Sequence, residues 1–86
     1  MRPELINFSG LLRGNGFTAE CEVQVEVYRS WNLQGFPNPP IYGKHEIVWL
    51  SADPPHGRFQ LEIHNTIYDM LLFDGRWTQV TTRRAA

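Results

Sequence analysis

The chain has 86 residues, of which 42% are hydrophobic and 13% aromatic, a composition typical of a globular rather than a disordered protein. Too few residues are present for two cores, so residues 1–86 are expected to form a single domain. A domain of this size buries only about 60 to 65% of its unfolded surface, which argues against a large enclosed cavity of the lipocalin type. The formal net charge of −1 predicts neither a nucleic-acid nor a membrane partner.

Cysteine content and the amino-terminal residues bear on the compartment. Cys21 is the single cysteine, which excludes an internal disulfide and any multi-cysteine metal site. The first residues contain no apolar run of signal-peptide length, and no stretch approaches the length of a membrane span. We therefore expect a cytoplasmic protein. All but one of the basic residues are arginine, which suits contacts with a protein partner.

The first two predicted strands form a hairpin. Residues 4–13 predict the first strand, and Asn15-Gly16 provides the positive φ angles that a type I′ turn requires. Phe17–Tyr28 alternates between apolar and polar residues for its whole length, as a half-buried strand does. A two-residue turn here gives a pairing register in which inward residues of the first strand lie opposite inward residues of the second. A register shifted by one residue would bury carboxylates. A helix over residues 4–12 is the alternative for the first element.

A long loop is expected over residues 29–42, RSWNLQGFPNPPIY, because its prolines and glycine cannot form a regular ladder. Its aromatic residues Trp31, Phe36 and Tyr42 argue against disorder. Two interpretations of the loop remain open at this point. The aromatic side chains either present a binding site to a partner or fold back as a lid over an open end of the sheet.

Four more strands are expected in the second half of the chain. The third strand is predicted over residues 44–52, the fourth over 58–64, the fifth over 67–73 and the sixth over 76–82. Asp74-Gly75 is a second hairpin signal, a short helix is the alternative for residues 67–73, and residues 83–86 are expected to be a frayed tail. Six short antiparallel strands predict an all-β fold, either a small sandwich or a partly closed barrel.

No set of residues predicts catalysis or a metal site. Glu62 and His64 lie two residues apart on the fourth strand and could share a metal with His45 or His56. The better interpretation is that these side chains are ordinary solvated surface residues. No serine lies in a nucleophile elbow, and Cys21 is expected to be buried without a base beside it. We therefore expect a non-enzymatic protein with no cofactor and no metal.

The function expected from the sequence is protein interaction, as a subunit, adaptor or inhibitor, and a phage or mobile-element origin is one hypothesis for its source. The third and fifth strands are apolar on both faces, and their outward rows need a cover, which a second copy would provide in a homodimer or another protein in a hetero-complex. The expected partner-binding residues come from the loop and these two strands: Trp31, Phe36, Pro37, Pro39, Pro40, Tyr42, Val48, Leu50, Tyr68 and Met70. The alternatives are a carbohydrate or small-ligand binder that uses Trp31, Trp49 or Trp77, and a small metal-dependent hydrolase.

Overall fold

The computed structural model describes residues 2–84, which form one antiparallel sheet of six strands without a helix. The strands are β1 (Glu4–Gly14), β2 (Phe17–Tyr28), β3 (Ile41–Leu50), β4 (Gly57–Ile63), β5 (Thr66–Phe73) and β6 (Arg76–Arg84). Their order across the sheet is β3-β2-β1-β4-β5-β6, so β3 and β6 are its two edges. The all-β prediction is confirmed, and the alternative helices over residues 4–12 and 67–73 are wrong.

Tight turns with positive φ angles join β1 to β2, β4 to β5 and β5 to β6. Asn15 and Gly16 have φ angles of 52° and 69°, and Asp74 and Gly75 have 51° and 72°, which confirms both predicted hairpin turns. The connection between β4 and β5, expected at Asn65-Thr66, begins one residue earlier, at His64, which has a φ of 53°. The prediction that His64 continues the outward row of β4 is therefore wrong.

The sheet is curled into a half-barrel, which is the second of the two predicted architectures. In a flat sheet β3 and β5, which are four strand positions apart, would be separated by about 19 Å. Yet the Tyr68 hydroxyl on β5 lies 3.0 Å from Nε2 of His45 on β3. The inward rows therefore share one concave face, which holds the core. Its buried members are Leu12, Ala19, Cys21, Val23, Val25, Val27, Phe59, Leu61, Ile63 and Leu72.

A β-bulge changes the alternation of β3. Ile47 lies opposite Val23 and Trp49 lies opposite Glu22, so Val48 is an extra residue between them. Ile47 and Leu50 therefore both pack on the concave core, whereas Val48 and Trp49 remain exposed. The predicted outward row of Val48 and Leu50 is wrong, because one inserted residue reverses the parity of everything beyond it.

The outward row predicted for β5 is wrong as well. Tyr68 and Met70 pack against the buried core on the concave face, beside the buried Leu72. The curl covers this row without a second layer, because it brings β3 over β5. Ile67, Leu71 and Phe73 occupy the opposite, convex face, where Phe73 is exposed.

Strand ends also differ from the sequence expectation. β3 begins at Ile41, three residues earlier than predicted, and β6 continues to Arg84. Arg83 and Arg84 thus belong to a strand and not to a frayed tail, since they pair with Ile67 and Thr66. The rest of that predicted tail, residues 85–86, lies outside the described residues. Within residues 2–84, no helix could cross a membrane.

Candidate functional site

The loop between β2 and β3 ends in a small ordered hairpin, residues 30–38, which we call the tip. Asn32 organises it: its side-chain Oδ1 accepts hydrogen bonds from the backbone N–H of Gln34 (3.0 Å) and of Phe36 (2.9 Å). The backbone N–H of Asn32 donates to the Phe36 carbonyl at 2.8 Å, and Gly35 turns the chain with a φ of 87°. An isolated bridge between Trp31 and Pro37 extends the β2–β3 hairpin into the loop.

The base of the tip is fastened by two residues. The backbone N–H of Asn38 donates to the Ser30 carbonyl at 2.9 Å, and the Asn38 side-chain amide donates to the Ser30 hydroxyl at 2.9 Å. These bonds join the two sides of the loop at Ser30 and at Asn38, which lies between Pro37 and Pro39. The tip therefore has a defined backbone although it projects from the sheet.

The apolar side chains of the tip are presented to solvent. Trp31 is 61% exposed, Phe36 is 66% exposed and Leu33 is fully exposed. The prolines at 37, 39 and 40 are exposed too. A lid over the open end of the sheet would bury these side chains, so the lid interpretation does not describe this structure.

The other residues predicted for partner binding are distributed over two faces of the sheet. Tyr42 lies within β3 opposite Val27, on the concave side, and is more than half exposed. Leu50, Tyr68 and Met70 are half-buried on the concave core. Of the four residues predicted on the outer rows of the third and fifth strands, Val48 alone is exposed. The predicted set is therefore not one continuous surface.

The free edge of β3 carries a short charged segment between two bulges. Lys44 and Glu46 are exposed, and Glu46 lies opposite Gln24 on the outward row of β2. At the first bulge the Lys44 N–H donates to Oε1 of Glu26 at 2.8 Å. Ile41 and Trp49 are exposed at the two ends of the strand.

On the concave face, His45 and Tyr68 form the hydrogen bond that spans the half-barrel. His45 Nδ1 lies 2.9 Å from the Gly43 carbonyl, which can only accept, so Nδ1 carries the proton. Nε2 is then the acceptor, and the Tyr68 hydroxyl donates to it. Burial lowers the pKa of His45, although the Gly43 carbonyl opposes this effect, and the imidazole is accordingly neutral near pH 7.

Tyr68 is held in its protonated form. Burial raises the pKa of Tyr68, and the neighbouring Tyr42 raises it further. A phenol with a raised pKa keeps its proton near pH 7 and can donate it in a hydrogen bond. The His–Tyr pair therefore joins β3 to β5 across the concave face through a hydrogen bond between two neutral groups.

The groups considered for catalysis or metal binding are dispersed. Glu62 forms a 3.9 Å ion pair with Arg13, and the His64 ring packs edge-on against Phe8. Within the described residues, no three His, Cys, Asp or Glu side chains are grouped to hold a metal ion. Cys21 is buried, and burial raises the pKa of its thiol.

Comparison with known proteins gave no match to a family model, to a curated protein or to a solved structure. A function for this chain has to be inferred from its own residues. The residues of these surfaces that sequence reasoning missed are Leu33 in the tip, Ile41, Lys44 and Glu46 on β3, and His45 as a partner of Tyr68. Only Leu33 had a local signal in the sequence. It follows the turn-forming Asn32 and lies between Trp31 and Phe36, which were both predicted to contact a partner.

Proposed function

We propose that this chain is a small non-enzymatic protein-interaction module that docks on a protein partner through its tip. The observation that supports this proposal most directly is the combination of an ordered backbone with exposed apolar side chains at residues 30–38. Trp31, Leu33 and Phe36 lie within six residues of each other on that backbone. Large aromatic side chains are enriched among the residues that dominate binding energy at protein interfaces.

The order of the tip matters for affinity. Association costs free energy for every loop and side chain that becomes fixed in the complex. The bonds from Asn32 and Asn38 and the prolines fix much of this backbone before a partner arrives. The apolar side chains can then contribute their burial to binding with little further cost of ordering.

Replacement of Phe36 tests this proposal. Phe36 is mostly exposed, so Phe36→Ala should change the free energy of unfolding by less than about 1 kcal/mol. The same change should remove roughly 2 kcal/mol or more of binding free energy if Phe36 is a central contact. The matched control is Phe73→Ala, which removes a similarly exposed phenylalanine from the β5–β6 hairpin.

The measurement is affinity capture from the native host followed by quantitative mass spectrometry, with melting temperatures recorded for all three proteins. A partner of the tip is retained by the unchanged protein and by Phe73→Ala and is lost from Phe36→Ala. Equal recovery of every captured protein on Phe36→Ala and on the unchanged chain would contradict docking through the tip.

A second copy of the chain is the partner that the free edge of β3 fits best. An antiparallel pair of β3 strands related by a two-fold axis brings like faces together, so residues directly opposite each other must lie on the same face. With the axis at His45, Lys44 lies opposite Glu46 of the second copy, and this pairing occurs twice.

Neighbouring registers are less favourable. An axis at Lys44 sets two lysines opposite each other, and an axis at Glu46 sets two carboxylates opposite each other, both of which are destabilising. The segment between the bulges therefore favours one register of self-pairing. An edge with exposed backbone groups and complementary side chains is the template that strand addition uses.

The other edge does not have this complementarity. β6 carries Arg76, Arg83 and Arg84 and no acidic residue, so no register of β6 with itself pairs opposite charges. An axis at Val80 would set Arg76 against Arg84 of the second copy at both ends.

A further inference from the structure

A pocket lies at one mouth of the half-barrel, where β1 and β4 separate. The two strands pair only over Gly10–Arg13 of β1, so the first residues of β1 pair with β2 alone. The turn between β4 and β5 and the end of β6 border the opening on the other side. The pocket has a volume of about 540 Å³, within the range of small-molecule sites.

The floor and walls of this mouth pocket are apolar. Val25 and Ile63 form the floor and are almost fully buried. Phe8, Tyr42 and Tyr68 form the walls and place three aromatic rings around the space. A flat or branched apolar body would gain burial against these surfaces, at about 25 cal/mol per Å² removed from water.

Several polar residues of the pocket can donate hydrogen bonds. Arg84 is among the lining residues and carries a donor-only guanidinium group, and Tyr42, Asn65 and Thr66 add hydroxyl and amide groups that can donate or accept. No Asp or Glu is among the residues that line the pocket. Arg84 also forms no ion pair with another described residue, unlike its neighbour Arg83, which pairs with Asp69.

The hydrogen bond between His45 and Tyr68 gives the pocket a fixed inner wall. The Tyr68 proton is engaged with Nε2 of His45, and this bond fixes the orientation of the phenol ring that lines the pocket. The ring of His64, held against Phe8, closes the side near the β4–β5 turn. The space is thus bounded by rings that are already fixed by contacts within the protein.

We propose that the mouth pocket binds a small organic carboxylate with an aromatic or branched apolar body. The body lies on Val25 and Ile63 between the aromatic walls, and the carboxylate binds Arg84 at the rim. One planar guanidinium matches one planar carboxylate through two parallel hydrogen bonds. This site is separate from the tip and from the edge of β3, so its failure would leave the interaction function unaffected.

The test uses hydrocinnamate and its neutral analogue hydrocinnamide as probes, which share an aromatic body and differ in the charged group. Binding is measured by isothermal titration calorimetry, with changes in the amide NMR spectrum to locate the probe. We expect hydrocinnamate to bind in the mouth pocket at least about tenfold more tightly than hydrocinnamide.

Two arginine variants test whether Arg84 is the residue that binds the carboxylate of the probe. Arg84→Gln should reduce hydrocinnamate affinity at least about tenfold and leave hydrocinnamide unchanged, because a charge-assisted bidentate contact is lost. Arg76→Gln is the control, since it removes an exposed arginine from the other end of the same strand. Melting temperatures verify that both variants remain folded.

Three results of the calorimetry would overturn the assignment. The first is equal affinity for the two probes, and the second is an equal loss of hydrocinnamate affinity in Arg84→Gln and Arg76→Gln. The third is no binding of either probe at about 10 mM. Shifts in the NMR spectrum confined to the tip would overturn it as well, because they would place the probe outside the mouth pocket.

Discussion

Replacing Val23 by aspartate tests the placement of the core on the concave face. Val23 is fully buried and lies between Phe8 on β1 and Ile47 on β3, so no polar group faces it across either neighbour. Loss of the valine burial costs about 1.5 to 3 kcal/mol, and an unpaired buried carboxyl costs several kcal/mol more. At about 0.05 to 0.15 kcal/mol per residue, 86 residues give a total stability of roughly 4 to 13 kcal/mol.

Val23→Asp should therefore leave the protein unfolded or close to it at room temperature. Val25→Asp should be less severe, because Val25 lies opposite His45, which can give up its bond from the Tyr68 hydroxyl, accept a proton at Nε2 and pair with the new carboxylate. Thr18→Asp is the surface control on the same strand, where the exposed side chain lies opposite Arg13 and a change of less than about 1 kcal/mol is expected.

Urea denaturation followed by circular dichroism gives the free energy of unfolding for the three variants and the parent. The expected order of destabilisation is Val23→Asp, then Val25→Asp, then Thr18→Asp. A Val23→Asp protein that unfolds at the same urea concentration as the parent would refute the inward row of β2. Equal destabilisation by Val23→Asp and Val25→Asp would refute the role given to His45.

Two further predictions concern β3. Lys44→Glu and Glu46→Lys should each raise the dissociation constant of a dimer about tenfold or more, since each sets like charges opposite each other twice, and the double variant should restore it. Analytical ultracentrifugation measures this, and an unchanged protein that is monomeric at about 100 µM would exclude pairing through β3. Deletion of Val48 should cost less than about 1 kcal/mol, because Val48 is the extra bulge residue and Ile47, Trp49 and Leu50 keep their faces. Deletion of Gln24 from β2, which has partners on both sides, should prevent folding, and equal tolerance of both deletions by urea denaturation would contradict the bulge.

The sequence was sufficient for those parts of the fold that depend on local chemistry. Strict alternation identified β2, and Asn15-Gly16 fixed the β1–β2 register, so that Phe8 lies opposite Val23 as predicted. Asp74-Gly75 likewise identified the β5–β6 hairpin. In each case a short-range rule acts on neighbours in the chain, which is the information that one sequence contains.

The bulges and the curl could not be predicted in this way. Residues 47–50 are apolar on both sides, so an inserted residue at Val48 leaves no break in the pattern. The contact between His45 and Tyr68 depends on how strongly the whole sheet is curved. The sequences of the two strands do not predict that curvature. The candidate site was affected most, because four of the ten predicted partner residues, Tyr42, Leu50, Tyr68 and Met70, lie on the concave side.

The mouth pocket and the proposed dimer edge use different side chains of β3, so the two surfaces can be tested separately. The two bulges turn Tyr42, His45 and Ile47 towards the concave face and leave Lys44 and Glu46 at the exposed edge. A ligand in the mouth pocket and a second copy at the edge would therefore contact the same strand through different side chains. Arg84→Gln should weaken carboxylate binding without changing self-association, and Lys44→Glu should do the reverse. A variant that changed both would indicate that the pocket and the edge of β3 are coupled through the strand itself.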